Sequence, residues 1–190
     1  MWERARASRS LEAEWNRETT LYRPSHRPPV ESGMYPRVRP SEAPTPLPTG
    51  SLEVFRLALV AEPDPDLQQI YALLLAREGV GSVITADTGT EALAIALAES
   101  PDLILTEVGL PNLDGMALLR QLRDNAGTRA SAAVVITALT GAALQRKAAD
   151  LGVAMLLHKP VSFRTLGATL GTGLSRWSSR AGYSSRTGAL

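Results

Sequence analysis

From residue 55 onward, short runs of apolar residues alternate with longer segments whose apolar positions recur every three or four residues. The short runs are rich in aliphatic side chains and are bounded by turn-forming residues, a pattern typical of strands buried on both faces of a sheet. The predicted strands are 55–61, 80–86, 101–107, 132–138 and 153–158. A helical pattern follows each of them, so the sequence predicts parallel strands joined by helices.

Two of the predicted helices begin with recognisable capping signals. Asp64 precedes Pro65, and proline is favoured at the first helical position. Thr88 stands three residues before Glu91, which is the spacing of a capping box. Five strand–helix units with right-handed crossovers predict an α/β fold of the flavodoxin-like (βα)5 type, a doubly wound parallel sheet with strand order 2-1-3-4-5.

The first 52 residues lack this alternation. Prolines recur between residues 23 and 50 and large aliphatic side chains are scarce there, so we predict that residues 1–52 form a disordered Pro/Arg-rich extension. A short docking helix within residues 2–22 is the alternative. Residues 53–176 are predicted to be the folded domain, and residues 177–190 a flexible tail rich in Ser, Arg and Gly.

Charge is distributed unevenly along the chain. Residues 1–52 hold eight Arg and six Glu, residues 175–190 hold three Arg and no acid, and residues 53–174 hold nine basic and thirteen acidic groups. Because the domain is mildly acidic, we do not expect nucleic acid as a partner. The sequence has no cysteine, no apolar run long enough to span a membrane and no secretory signal pattern, so we expect a cytoplasmic protein that does not enter membranes.

Four polar side chains are predicted to meet where the strands end. In the 2-1-3-4-5 order, strands 1, 3, 4 and 5 end close together at the carboxyl edge, which is where open α/β sheets carry their sites. Glu62 follows the first strand, Glu107 ends the third, Thr137 lies in the fourth and Lys159 follows the fifth. The sequence therefore predicts two carboxylates, a hydroxyl and an ammonium group at one sheet edge, with Glu107 at the centre.

Several short motifs occur in a fixed order between residues 55 and 177. They are Pro65-Asp66-Leu67, Pro101-Asp102-Leu103-Ile104-Leu105, Leu110-Pro111, Asp114-Gly115, Thr137-Ala138 and Lys159-Pro160. In this order and spacing the chain resembles the receiver domains of two-component response regulators, which act in phosphorelay signal transduction. The resemblance implies that Glu107 stands at the position of the phosphoacceptor aspartate, that Thr137 contacts the phosphoryl group and that Lys159 neutralises its charge. It also implies an acidic pair after the first strand that holds Mg²⁺, and a cis Lys159–Pro160 bond.

The chain departs from this family at positions that the chemistry needs. Glu107 is one methylene longer than aspartate, which displaces its oxygens in a reaction that depends on positioning. Pro63 offers no side-chain oxygen where the family has an acid, and Asp64, one residue later, is better placed to cap a helix. Leu156 stands at the position of the family's aromatic switch residue. We therefore expect a degenerate receiver that is not an enzyme, with Glu62 and Asp64 as remnants of an acidic pocket that binds Mg²⁺ weakly or not at all.

In such a site Glu107 and Lys159 are expected to form an ion pair beside Thr137. The resulting hypothesis is a pseudo-receiver that acts by protein–protein interaction, independently of phosphorylation, on a histidine kinase or another signalling protein. Its interaction face would be residues 142–176, and a homodimer through this face is an alternative. Three other interpretations stay open: a receiver that still accepts a phosphoryl group, a flavodoxin-like module that binds a small ligand, and an ion pair with no signalling role. The ligand-binding interpretation lacks a Gly-rich phosphate loop after the first strand.

Overall fold

The computed structural model describes residues 37–38, 55–162, 166–167 and 169–174. Within them the strands are β1 (Arg37–Val38), β2 (Ala58–Ala61), β3 (Val83–Ala86), β4 (Leu103–Thr106), β5 (Ala132–Thr137) and β6 (Met155–His158). The helices are α1 (Pro65–Arg77), α2 (Gly89–Glu99), α3 (Gly115–Asp124) and α4 (Ala142–Asp150). Residues 166–167 and 169–174 are also helical, and together they are called the C-terminal helical segment below.

The strands form one sheet in the order β1-β3-β2-β4-β5-β6. Strands β2 to β6 run parallel to their neighbours, whereas β1 pairs with β3 in the antiparallel direction. When the parallel strands β2 to β6 are counted as the first to the fifth, their order in the sheet is 2-1-3-4-5. The predicted flavodoxin-like fold class is confirmed. None of the described helices is long and apolar enough to cross a membrane.

The hydrophobic core lies on both faces of the sheet. Helices α2, α3 and α4 cover one face, where Ile104 of β4 packs among their aliphatic side chains. Helix α1 and the C-terminal helical segment cover the other face, and Leu103 and Leu105 of β4 belong to that cluster. Successive strand residues point to opposite faces, so a strand covered on both sides must be apolar throughout. This explains the unbroken apolar runs in the sequence.

Strand β2 begins three residues later than predicted. The backbone amides of Arg56 and Leu57 donate to the carboxylate of Asp102, at 3.0 and 3.1 Å, so a side chain satisfies them before the strand ladder begins. The apolar character of residues 55–57 is real, because Phe55 and Leu57 are buried. Burial and strand pairing therefore begin at different residues.

Strand β1 is a departure from the predicted organisation. Arg37 and Val38 lie within the range 1–52 that was predicted to be disordered, and they pair with Ile84 and Val83 of β3. The prediction is wrong for these two residues. Their pairing partner is β3, which is distant in the sequence, so the local sequence does not indicate a strand. The remainder of 1–52 and the predicted tail 177–190 lie outside the described residues.

Candidate functional site

The register of the sheet brings Glu62 and Glu107 side by side. Ala61, the last residue of β2, is paired with Thr106, the last residue of β4, and a glutamate follows each of them. The amide of Glu107 donates to the carbonyl of Ala61 at 3.0 Å, which continues the ladder past the end of both strands. Glu62 and Glu107 are 2% and 8% exposed, so two acidic side chains are buried at the carboxyl edge.

Lys159 reaches both glutamates from the far side of the site. Thr137 of β5 is paired with His158 of β6, and the amide of Lys159 donates to the carbonyl of Thr137 at 2.8 Å. The Lys159 Nζ atom lies 2.7 Å from Glu107 Oε2 and 2.8 Å from Glu62 Oε2. The predicted ion pair between Glu107 and Lys159 is confirmed. The second ion pair, with Glu62, was not predicted.

The second oxygen of Glu107 is also engaged. Glu107 Oε1 accepts hydrogen bonds from the amides of Val108 at 2.8 Å and Gly109 at 3.3 Å. Both oxygens of this buried carboxylate therefore have donors, which offsets the cost of removing the charge from water. Gly115, the first residue of α3, allows the helix to approach closely, because a Cβ atom there would collide with the Glu107 carbonyl oxygen.

Glu62 and Asp64 have different roles in the structure. Glu62 Oε1 accepts from the amide of Asp64 at 3.2 Å, so Glu62 shares its carboxylate between Lys159 and the turn that follows β2. Asp64 Oδ1 accepts from the amides of Asp66 and Leu67, at 2.9 and 3.2 Å, and this caps α1 as predicted. Asp64 has an exposed side chain that the cap fixes in place, whereas Glu62 is buried.

Thr137 is buried beneath the site, and its hydroxyl oxygen accepts a hydrogen bond from the amide of Leu139 at 3.2 Å. The carbonyl oxygen of Leu139 lies 3.0 Å from His158 Nδ1. The loop after β5 is therefore tied to β6 through Leu139, whose own side chain is 45% exposed. The backbone of Thr137 contacts Lys159, as the predicted proximity requires, while its hydroxyl is directed to the loop. The Lys159–Pro160 bond is cis, as predicted.

The electrostatics of the cluster favour a charged Lys159. Burial is the largest effect and would lower the pKa of Lys159, but the hydrogen bonds and charges of Glu107 and Glu62 outweigh it, so the pKa lies above its ordinary value. Burial also raises the pKa of the Tyr71 phenol, which lies close enough to feel the charges of Lys159 and the two glutamates. In the sequence, Tyr71 stands at the spacing of an apolar helix position, and nothing in that spacing distinguishes it from a core residue.

The carboxylates at this edge are already engaged by other groups of the chain. No group of three or more His, Asp or Glu side chains among the described residues is arranged to hold a metal ion. Glu62 and Glu107 direct one oxygen each to the same ammonium group, and the Asp64 carboxylate is used by the cap of α1. A hard cation needs near-octahedral oxygen ligands. In this structure the two buried carboxylates therefore share the ammonium group of Lys159.

A second polar region lies at the opposite end of the sheet. An open groove of about 510 Å³ is lined by Arg120, Arg123, Asp124, Arg129, Ser131, Asp150, Leu151 and Gly152. The guanidinium of Arg123 donates to the carbonyl oxygens of Leu151, Arg129 and Ser131, and burial lowers its pKa. Two aspartates and the carboxyl ends of α3 and α4 offset the arginine charges, so this groove ties loops together and does not concentrate positive charge.

Comparison with known proteins gives a consistent result. The family model of the response regulator receiver domain matches residues 58–170. Response regulator PleD of Caulobacter vibrioides is 34% identical over 106 residues, which are 56% of this chain and 23% of PleD. The transcriptional regulatory protein PdtaR of Mycobacterium tuberculosis is 31% identical over 122 residues, which are 64% of this chain and 58% of PdtaR. The chain thus matches less than two thirds of the length of these two relatives.

Solved structures are similar over almost their whole length. The chemotaxis response regulator CheY4 of Vibrio cholerae superimposes with a TM-score of 0.56 at 25% identity, covering 62% of this chain and 97% of CheY4. A response regulator receiver domain protein of Clostridium thermocellum gives a TM-score of 0.55 at 26% identity, covering 65% of this chain and 98% of that structure. The similarity is therefore to the receiver module itself.

Proposed function

The chain belongs to the response regulator receiver domain family, and from this premise we propose that it is a pseudo-receiver, which binds a signalling partner without being phosphorylated. Receiver domains act in two-component signalling as interaction modules rather than as enzymes, and their partners are histidine kinases and other signalling proteins. The outputs of PleD and PdtaR are not transferred to this chain, because the match covers only part of each protein.

The state of Glu107 is the observation that carries the proposal. Its side chain replaces the phosphoacceptor aspartate, and its two oxygens already bond to Lys159 and to the amides of Val108 and Gly109. A nucleophile needs a free oxygen aimed at the incoming phosphorus atom, and small errors of position are costly in phosphoryl transfer. The built-in negative charge of Glu107 also satisfies Lys159 without a phosphoryl group, which supports a single, permanent arrangement of the site.

The metal chemistry supports the same proposal. Phosphoryl transfer in this family depends on a cation that neutralises charge on the transferred group. Pro63 brings no oxygen to the position after Glu62, and Lys159 already neutralises part of the charge of Glu62 and Glu107. We propose that the cation of this site is the ammonium group of Lys159, and that Mg²⁺ binds weakly or not at all.

We propose that the partner binds the face formed by residues 142–176. The described part of this face contains the exposed polar residues Gln145 and Arg146 of α4, together with β6, whose residues are partly exposed at the end of the described sheet. A face that combines exposed polar residues with partly exposed apolar ones suits a transient protein interface better than an enclosed ligand site. We place the interaction in the cytoplasm, as the sequence predicts, and a homodimer through the same face is the alternative occupant.

A phosphorylation assay tests the proposal. The full chain is incubated with acetyl phosphate and Mg²⁺ and its intact mass is measured; we expect no phosphorylated species. The single variant Glu107→Asp should also remain unmodified, because Pro63 still denies a metal ligand. The double variant Pro63→Asp/Glu107→Asp is the matched gain-of-function control, and we expect it to accept a phosphoryl group. A stoichiometric adduct on the unaltered chain would establish a working phosphoacceptor and overturn the proposal.

A further inference from the structure

The outer edge of β3 is covered by the shortest strand of the described sheet. Arg37 is paired with Ile84 and Val38 with Val83, so β1 covers the first half of β3. Val83 and Ile84 are buried. Without β1, this edge of β3 would present unpaired amides and carbonyls to any other extended chain, including the same edge of a second copy.

The hydrogen bonds between β2 and β3 identify the backbone groups that β1 covers. The carbonyl oxygens of Ser82 and Ala86 accept hydrogen bonds from the β2 side. Because the backbone groups of successive strand residues alternate between the two edges, those of Val83 and Thr85 face the outer edge. Val38 lies directly opposite Val83. Val38 and Val83 are therefore the residues whose amides and carbonyls bond to each other. The amide and carbonyl of Thr85 also face the outer edge, but neither of the two residues of β1 lies opposite them.

An ion pair fixes β1 to the adjacent helix. The guanidinium of Arg37 bonds to the carboxylate of Glu99, the last residue of α2, whose side chain is only 6% exposed. A buried carboxylate at a helix carboxyl end is unfavourable, because it faces the negative end of the helix dipole. The last turn of α2 contains no basic residue of its own. Arg37 brings a positive charge to Glu99 from outside the helix.

The sequence around β1 contains the features with which proteins protect sheet edges. Pro36 precedes the strand and Pro40 follows Arg39 closely after it. Proline has no amide hydrogen and limits the growth of a strand, and a charged side chain on an edge strand disfavours further pairing. A two-residue strand flanked in sequence by these residues covers an edge without offering a new one of similar length.

We propose that Arg37–Val38 is an edge cap, which closes the outer edge of β3 against pairing with the β3 edge of a second copy of this chain. The cap is held by the Val38–Val83 backbone pairing and by the Arg37–Glu99 ion pair. This inference concerns a different edge of the sheet from the Glu107 site, and it stands whether or not Glu107 accepts a phosphoryl group.

Amide hydrogen exchange of the full chain, followed residue by residue by NMR, tests the cap. In the variant Arg37→Glu we expect the exchange of the Val83 amide to accelerate by about tenfold, since its protection depends on β1. The amide of Ile84 faces β2 and should keep its rate, which makes it an internal control. The reversed pair Arg37→Glu/Glu99→Arg should restore protection of Val83. Arg146→Glu makes the same charge change on exposed α4 and should leave both rates unchanged.

Sedimentation of the same full-length variants tests the consequence. Val38→Pro removes the amide of Val38, and both this variant and Arg37→Glu should show a concentration-dependent association step that the unaltered chain and the reversed pair lack. Unchanged exchange of Val83 in Arg37→Glu would overturn the cap. Faster exchange of Val83 with no added association would overturn its role against a second copy. If Val38→Pro fails to fold, Arg37→Glu and the reversed pair still decide the question.

Discussion

At Lys159 a single ammonium group serves two buried carboxylates, so the cluster with Glu62 and Glu107 keeps one net negative charge. The amides of Val108, Gly109 and the turn after Glu62 donate to the remaining oxygens and make that charge tolerable. Removing the ammonium group would leave two acids facing each other without a counter-charge. Stability at this site therefore depends on Lys159 more than on either acid.

The substitution Lys159→Met should lower the free energy of unfolding by about 3 kcal/mol, because it breaks a largely buried ionic network and leaves its carboxylates unpaired. Urea denaturation measures the change. Lys147→Met, at a partly exposed lysine of α4, is the matched control and should cost less than about 1 kcal/mol. Adding Glu107→Gln to Lys159→Met should recover part of the loss. Equal losses for the two lysine variants would contradict this account of the site.

Stability should fall with rising pH in the alkaline range. The folded-state pKa values of Lys159 and Tyr71 are both raised, so the unfolded chain loses these protons first once the pH exceeds about 10. The stabilisation is fully present below that pH and is lost as the pH rises through the folded-state values. Denaturant unfolding at a series of alkaline pH values measures the slope. Tyr71→Phe and Lys159→Met should each flatten it, and an unchanged slope in both would contradict the assignment.

The sequence specified this site only in part. Because strand order and strand ends follow from chain connections, the approach of Glu107, Thr137 and Lys159 to one edge was predictable. The sharing of Lys159 with Glu62 was not, since it depends on how far each side chain reaches in the folded site. The direction of the Thr137 hydroxyl toward Leu139 depends likewise on a loop conformation that no residue pattern specifies.

At the scale of elements, side-chain caps set the starts of α1, α2 and α3. Asp64, Thr88 and Asp114 each accept backbone amides of the first turn, and the first two were predicted from the residues that follow them. Strand β1 was not predicted, because the sequence around it contains no such local signal. Three residues between Pro36 and Pro40 carry no periodic signal, and the partners of the two that form the strand, β3 and Glu99, lie far away in the sequence.

The position of Asp64 gives a prediction that separates a cap from a metal ligand. Asp64→Ala should lower the free energy of unfolding by about 1 kcal/mol through loss of the cap, and Asp64→Ser should retain most of the stability because serine also caps well. Thermal or urea unfolding with and without Mg²⁺ measures both variants. A metal ligand would behave differently: Asp64→Ser would then lose a Mg²⁺-dependent stabilisation that the unaltered chain shows.

At the scale of the whole molecule, the chain keeps the receiver fold, and the proposed pseudo-receiver would differ from the family only in the chemistry of its carboxyl edge. The order of the parallel strands and their burial on both faces follow the predicted pattern, whereas β1 and the start of β2 do not. Fold and edge chemistry can change independently, because the fold depends on many apolar contacts, whereas phosphoryl transfer depends on the positions of a few oxygens. A few substitutions can therefore change the function of the edge without disturbing the sheet.

A melting experiment tests the edge through the stability of the whole chain. A ligand present at its dissociation constant stabilises a protein by only about 0.4 kcal/mol. If Mg²⁺ binds so weakly that about 10 mM does not exceed its dissociation constant, this concentration of MgCl₂ should leave the melting temperature unchanged relative to NaCl of equal ionic strength. Calorimetry provides the measurement. The variant Pro63→Asp/Glu107→Asp should gain a Mg²⁺-dependent rise. A clear rise for the unaltered chain would show that the site holds the metal after all.

The location of β1 has a further consequence for how the molecule can be connected. Five inter-strand steps separate β1 from β6, a distance of about 24 Å across the sheet. At Arg37 the described chain therefore enters the sheet beside β3, on the side opposite β6. A small probe attached at β1 would therefore report on the outer edge of β3 without touching a partner that binds at α4 and β6.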